Sequence, residues 1–279
     1  MLDQELSRAG QTYRPSLEVR GLEDVPRPVV PLAIDFPDGH IIPPHTHRRA
    51  QLIYAARGVM TVSVTQAKGG AKGGGGGGLW VIPPQRALWM PAGIDHSIRM
   101  TGAVEMRTLY LAGVAASRLP ADCRVVAVSP LLRELILRAM GIPPLYDEDG
   151  PDGRLMAVVL DQLRVLPVMP LHLPMPEDRR LAGICRALLD DLSDNRPLAA
   201  WARQAGASIS TLGRLFRDGT GMGFTAWRQQ ARLVRALELL AAGRPVTLVA
   251  LDLGYDSVSA FIAMFRRAFG VPPARYFRD

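Results

Sequence analysis

The stretch Ser208–Gly221, SISTLGRLFRDGTG, returns 49 residues later as Ser257–Gly270, SVSAFIAMFRRAFG. Under that constant offset the identities are Ser208/Ser257, Ser210/Ser259, Phe216/Phe265, Arg217/Arg266 and Gly221/Gly270, with Leu212/Phe261 and Leu215/Met264 apolar in both. A Ser where a helix N-cap belongs, apolar residues at helical spacing and a closing Gly mark a short amphipathic helix. A chain that carries this unit twice has to give two equivalent helices equivalent packing partners.

The flanking sequence supplies those partners. Asp178–Asp191 reads as a helix, and Leu198–Ala205 as a second that passes through Gly206-Ala207 into the helix beginning at Ser208. Phe224–Ala242 forms a long helix ended by Gly243, and Val246–Leu253 with Gly254-Tyr255-Asp256 then repeats the helix and turn before Ser257. Two helix-turn-helix motifs follow, at about 198–220 and 246–269. With Leu212, Leu215 and Phe216 facing inward, Ser210, Gly213, Arg214 and Arg217 are expected on the outer face of the first unit. Ser259, Ile262, Ala263 and Arg266 are expected on that of the second.

Such faces suit the major groove of duplex DNA. Arg214 matches guanine in bidentate fashion, Ser210 and Ser259 reach base edges or phosphate, and Ser208 and Ser257 open helices whose terminal amides favour phosphate. Val258 and Ile262 offer only apolar contact, so the second helix is expected to position the protein and the first to choose the sequence. Residues 177–279 hold 15 Arg, no Lys and 10 acidic residues, whereas residues 1–176 hold 18 basic and 16 acidic ones. A basic terminal third concentrates polyanions, although Arg used on a solvated surface gives the same count.

Ahead of this region the texture differs. Residues 1–28 read as an arm. From Val29 to Leu111 short β-branched and apolar runs are cut by Pro and Gly, as in an antiparallel sandwich or barrel. The low-complexity stretch Gln66–Gly78 stands where a hairpin turn of a few residues would suffice. Two helical patterns, Pro130–Met140 and Arg154–Leu166, either cover one face of the barrel or pair with a second copy of the chain. Pro167–Pro176 is too proline-rich for helix or central strand and reads as a connector. The boundaries are thus 1–112 for the barrel with its arm, 113–176 for a helical linker and dimerisation segment, and 177–279 for the helical domain.

Within the barrel run Gly39-x5-His45-x-His47-x3-Gln51-x6-Gly58 and Pro91-x-Gly93-x2-His96. This pattern resembles the two motifs of the cupin fold, a jelly-roll barrel in which two His, a Glu and a third His converge on a metal. Gln51 stands at the acidic ligand's place, and Gln85 replaces the Gly that opens the second motif. Three imidazoles suit Zn, Fe or Ni; they equally suit the lining of a pocket for an organic molecule, or internal hydrogen bonding. The expected effector pocket comprises His45, His47, Gln51, Tyr54, Trp89 and His96, with Trp80 and Met90 as further apolar walls. No cofactor is required, and a divalent metal at His45, His47 and His96 is a candidate occupant.

The helical domain resembles the AraC/XylS family of bacterial transcription regulators over about the last hundred residues. The resemblance is carried by Ala202, Gly206, Ser208, Leu212, Arg214, Phe216, Gly221, Trp227, Arg232-Leu233, Ala236, Leu240, Ala250, Gly254-Tyr255, Ser257, Phe261, Phe265, Gly270, Pro273 and Tyr276. It implies a multidomain protein with a cupin-like barrel that senses a small-molecule effector and a DNA-binding domain that engages promoter DNA. A homodimer is implied, as is RNA polymerase as partner where the protein activates. The alternative is a metal-dependent cupin enzyme with an accessory helical domain, which needs a redox-active metal at the three His. No Ser/His/Asp set, phosphate loop or carboxylate pair supports other chemistry, so no enzymatic activity is expected. Two Cys without metal-type spacing, no apolar run long enough to span a bilayer and an N-terminus without a signal-peptide core point to the cytoplasm.

Overall fold

The computed structural model describes residues 21–64, 77–163, 167–169 and 171–277; most of the arm and nearly all of the Gly-rich stretch lie outside the described residues. The N-terminal half is one antiparallel sheet of β1 (Val29–Phe36), β2 (Ile41–His45), β3 (Ala50–Val64), β4 (Gly78–Ile82), β5 (Arg86–Met90), β6 (His96–Leu111), β7 (Arg124–Ala127), β8 (Val168–Met169) and β9 (His172–Pro174). The order is β1-β6-β3-β5-β7-β8, with β2 also on β6 and β4 between β3 and β9. The two long strands β3 and β6 form the spine. Each changes partner midway: β3 pairs first with β5 and then with β4, and β6 first with β2 and then with β1.

The change of partner coincides with a bend. The β3–β6 register shifts between Ala55 and Val59, and Gly58 sits there at φ 74°. A Cβ on Gly58 would lie 2.6 Å from the Ala103 carbonyl oxygen, so the bulge needs glycine. In the turn between β4 and β5, Gln85 adopts φ 63°, a left-handed conformation that is unfavourable for a residue with a Cβ. The backbone there is the one the cupin pattern assigns to Gly, and this chain builds it with Gln.

Strand alternation sends side chains to two cores. Ile53, Ala55, Leu88 and Met90 join Phe36, Ile42, Trp80 and Ile98 inside the bent sheet. Leu52, Tyr54, Ala87 and Trp89 point the other way, into a layer closed by Leu132 and Ile136 of α2 (Pro130–Ala139) and Met156 and Val159 of α3 (Pro151–Leu163). A short helix α1 (Gly113–Ala116) precedes them. This corrects the expected pocket at Tyr54 and Trp89. Both sit on strands that do line the interior, but at positions of the opposite parity, and Trp89 Nε1 donates to the Pro120 carbonyl at 2.8 Å. Trp80 and Met90 do face the interior.

The sheet does not stop at residue 112. β7 pairs with β5, β8 with β7, and β9 with β4, so chain as far as Pro174 belongs to it. The proline-rich connector is therefore an edge strand in part, a place where missing N–H groups do least harm.

The C-terminal half is helical: α4 (Arg179–Asp190), α5 (Leu198–Gln204), α6 (Ile209–Thr220), α7 (Phe224–Ala241), α8 (Val246–Asp252), α9 (Val258–Phe269) and α10 (Pro273–Tyr276). The repeat governs both short reading helices. Ser208 Oγ accepts from the Thr211 N–H at 3.0 Å and Ser257 Oγ from the Ala260 N–H at 3.1 Å. Gly221 and Gly270 close the helices at φ 70° and 79°, where glycine pays no Cβ penalty. Leu212, Phe216, Phe261 and Phe265 are fully buried, in one core with Trp201, Trp227 and Val249.

Helix α7 also joins the two halves. Thr61 Oγ1 on β3 donates to Glu238 Oε1 at 2.6 Å, and Trp227 Nε1 donates to the Pro174 carbonyl of β9 at 2.8 Å. The ring of His172 on β9 stacks on Trp80 at 4.0 Å between centroids. One continuous apolar core therefore runs from the sheet interior into the helical half.

Candidate functional site

Two faces and one cluster carry the chemistry. On α6, Ser210, Arg214 and Arg217 are exposed, and on α9 Ser259, Ala263 and Arg266 are exposed. Gly213 is a correction: it is buried, 3.7 Å from Leu198 Cδ2 when given a Cβ. It lies between the inner stripe and the outer face, and the Leu198 side chain of α5 packs over it. Val258 and Ile262 are half-buried against the core, so only part of each side chain is offered outward.

Sequence reasoning missed Arg267. With Ser259, Ile262, Ala263 and Arg266 it lines a shallow surface depression of about 590 Å³ on the outer side of α9. The i, i+4, i+8 spacing of Ser259, Ala263 and Arg267 was the signal for it. Among the described residues, Arg214, Arg217, Arg266 and Arg267 form no ion pair. Arg196, Arg235 and Arg244 of the same half pair with Asp194, Glu238 and Asp252. The two reading faces thus keep uncompensated guanidinium groups, which is what phosphate and guanine contacts need.

A buried arginine holds the two motifs together. Arg232 of α7 donates to the Leu192 carbonyl at 3.0 and 2.9 Å and to Asn195 Oδ1 at 2.8 Å. Asn195 Nδ2 in turn donates to the Gly254 carbonyl at 3.0 Å. Gly254 stands at φ 68° with Ser193 O 2.7 Å from any Cβ, so the loop before α5 and the turn after α8 touch backbone to backbone. The guanidinium lies 5.5 Å from the Tyr255 ring centre.

The histidines gather at one end of the sheet. His45 ends β2 and is paired with His96 at the start of β6, and His47 follows in the bend before β3. Ring centres are 4.2 Å apart for His45/His96, 4.8 Å for His45/His47 and 5.6 Å for His47/His96. His45 is half-buried, while His47 and His96 are buried. Burial, reinforced by the neighbouring His45, pushes His47 down to about 4 and His96 down to about 3, so both rings are neutral near pH 7. Gln51 Nε2 donates to Thr108 Oγ1 at 3.0 Å, and that hydroxyl donates to the Leu52 carbonyl at 3.0 Å. Thr108, Tyr110 and Gln51 share one face of the sheet, and the Tyr110 ring meets His47 at 5.1 Å. The structure therefore brings the three histidines together, sets Gln51 on the sheet face of Tyr110, and leaves Tyr54 and Trp89 out.

A β-rich sensing half joined to paired helix-turn-helix motifs with exposed, unpaired arginines defines a DNA-binding regulator. Comparison with known proteins agrees. Residues 29–205 match the AraC-like ligand binding domain and residues 201–279 match a helix-turn-helix domain. The chain is 36% identical over 234 residues to the HTH-type transcriptional regulator NimR of Escherichia coli K12, covering 84% of this chain and 81% of that protein. It is 28% identical over 162 residues to the arabinose operon regulatory protein of Salmonella typhimurium, covering 56% and 55%. Fatty-acid-bound ToxT of Vibrio cholerae aligns over 89% of this chain and 94% of that one at 12% identity, with a TM-score of 0.36.

The chain belongs to the AraC family of DNA-binding transcription regulators, with an N-terminal ligand-binding domain. The cupin-enzyme alternative falls with that assignment.

Proposed function

We propose that this regulator acts in the cytoplasm as a homodimer on promoter DNA, choosing its sites chiefly through α6, and that a ligand in the sheet domain alters how the paired faces engage the duplex. Sequence choice rests on one observation: Arg214 is exposed, unpaired and central on the α6 face. Its fork matches the O6 and N7 acceptors of guanine, whereas α9 offers Ser259, Ala263 and part of Ile262 between phosphate-binding arginines. Helices α2 and α3 support pairing of two chains, because Leu131 and Val158 remain 55% and 44% exposed on the side turned away from the sheet. Two free, buried cysteines fit a reducing compartment. Where the protein activates, RNA polymerase is the further partner.

Ligand response has a physical route. α7 carries both motifs and is tied to β3 through Thr61–Glu238 and to β9 through Trp227–Pro174. A change in the sheet moves the helix that sets the two reading faces. Selection of bound sites from random duplex DNA tests the reading. A recovered consensus with a guanine whose preference disappears in Arg214→Ala supports it, and retention of every sequence alike at moderate salt overturns it.

A further inference from the structure

We propose that Asp218 is a built-in restraint on DNA binding: a free carboxylate on the reading face of α6 that weakens its hold on the duplex, where the matching residue of α9, Arg267, strengthens it. The inference rests on the reading of both helices as DNA-facing. It adds to that reading a residue that acts against binding.

The offset of 49 that relates the two motifs sets Asp218 against Arg267. Arg267 lines the depression on α9 together with Ser259, Ala263 and Arg266, so this position of the repeat belongs to the outer face. On α6 the same face holds Ser210, Arg214, Arg217 and Asp218, all exposed. Asp218 lies one turn beyond Arg214, as Arg267 lies one turn beyond Ala263.

Nothing within the protein uses this charge. Among the described residues Asp218 forms no ion pair and no side-chain hydrogen bond, although Arg214 stands four residues before it. Asp194, Glu238 and Asp252 of the same half are each paired with an arginine. Asp218 also sits in the last turn of α6, where the helix dipole favours a cation and opposes an anion. Arg266 and Arg267 occupy the last turn of α9, with the favourable sign. Local stability therefore works against Asp218 and for Arg267, and the carboxylate acts on whatever the face meets.

That neighbour is the phosphate backbone. With Arg214 committed to a base, Arg217 is the cation left on α6 for phosphate, and the adjacent carboxylate offsets it. Arg266 and Arg267 on α9 carry no such opposition. The backbone is held through α9, and entry of α6 costs repulsion between Asp218 and phosphate. A selective helix with a restrained hold leaves DNA occupancy short of saturation, where a change in the sheet domain can shift it in either direction.

The test measures binding of the full chain to a duplex selected from random DNA and to a scrambled duplex of the same composition, across a salt series. Asp218→Asn should tighten both about 5-fold at low salt, close to the Coulomb energy of unit charges about 4 Å apart in water. The gain should shrink as salt rises, and the melting temperature should not fall. Asp218→Arg should tighten binding further and steepen the plot of log K against log salt by about 1, and Arg267→Ala should weaken binding and flatten that plot by about 1. Asp35→Asn, on β1 of the sheet half, should leave affinity unchanged. Unchanged or weaker binding by folded Asp218→Asn overturns the restraint, as does a gain that salt does not diminish. A loss confined to one base position makes Asp218 a base reader and overturns it as well. If wild type does not prefer the selected duplex, the reading of α6 as the selective helix fails instead, and the restraint is still read from the scrambled one.

Discussion

The two reading helices are alike where they are buried and different where they are exposed. α6 and α9 share a Ser cap, a left-handed Gly terminator and a fully buried pair of apolar residues, Leu212 and Phe216 in one and Phe261 and Phe265 in the other. Outside, α6 presents Ser210, Arg214 and Arg217, whereas α9 presents Ser259, Ala263, Arg266 and Arg267 around partly buried Ile262. Packing against neighbouring helices constrains the first set. The second set faces outward, free of that packing, so one scaffold can hold two unequal outer faces.

Among single substitutions, the largest effect should come from the shared core. Phe216→Ala and Phe265→Ala are each expected to cost about 3–5 kcal/mol by thermal unfolding. Clearly unequal losses would show that the two motifs are not energetically equivalent. Next comes the brace between them: Arg232→Ala leaves the Leu192 carbonyl and Asn195 without their donor, and a loss of about 1–3 kcal/mol follows. Because the brace ties both motifs, DNA affinity should fall for every sequence at once. A loss confined to one half-site would break the idea that Arg232 couples the readers.

The exposed arginines sharpen the contrast directly. Arg214→Ala should cost about 1–3 kcal/mol at one base position. Arg266→Ala should weaken all sequences evenly and reduce the salt dependence of binding. Competition binding over a panel of single-base variants separates the two patterns, and a base-specific loss at Arg266 would reverse the proposed division of labour.

Acid should spare this comparison altogether, since all five histidines precede residue 177. His47 and His172 are held neutral down to about 4 and His96 to about 3 by burial. The unfolded chain, with ordinary histidines near 6.5, therefore binds more protons across that window. Stability of the metal-free protein should fall as pH drops from about 6.5 towards 4, by up to about 1.4 kcal/mol per pH unit for each histidine, and level off below the folded values. Melting curves from pH 7.5 to 4.5 would show it, and a flat melting temperature would contradict it. The smallest effect should be in the caps, where Ser208→Ala and Ser257→Ala each cost about 1 kcal/mol.

Local rules make much of this legible. The helices of both motifs, their caps and their terminators follow from spacing within about a dozen residues. The metal-type spacing of His45, His47 and His96 is visible because two histidines sit close together at the end of one strand and the third starts a partner. Local rules fail where a neighbour from elsewhere in the chain decides. Helical spacing alone leaves Gly213 beside the outer face of α6, and it is the crossing of α5 that buries it. Tyr54 and Trp89 read as pocket walls because parity along a strand does not say which side is the interior. The helix pair α2–α3 claims that other side.

The sequence by itself determined the elements: two capped reading helices, the helix between them, and a histidine pattern on short strands, because each depends on residues close in the chain. Tertiary structure decided what those elements do to one another. Thr61 meets Glu238 across 177 positions and Gln51 meets Thr108 across 57, and Glu23 reaches His47 from the other side of β1. The addition of β9 to the sheet, which places the Pro174 carbonyl under Trp227, belongs to the same class. No periodicity encodes such contacts. They exist only once buried polar groups have had to find partners inside a packed core.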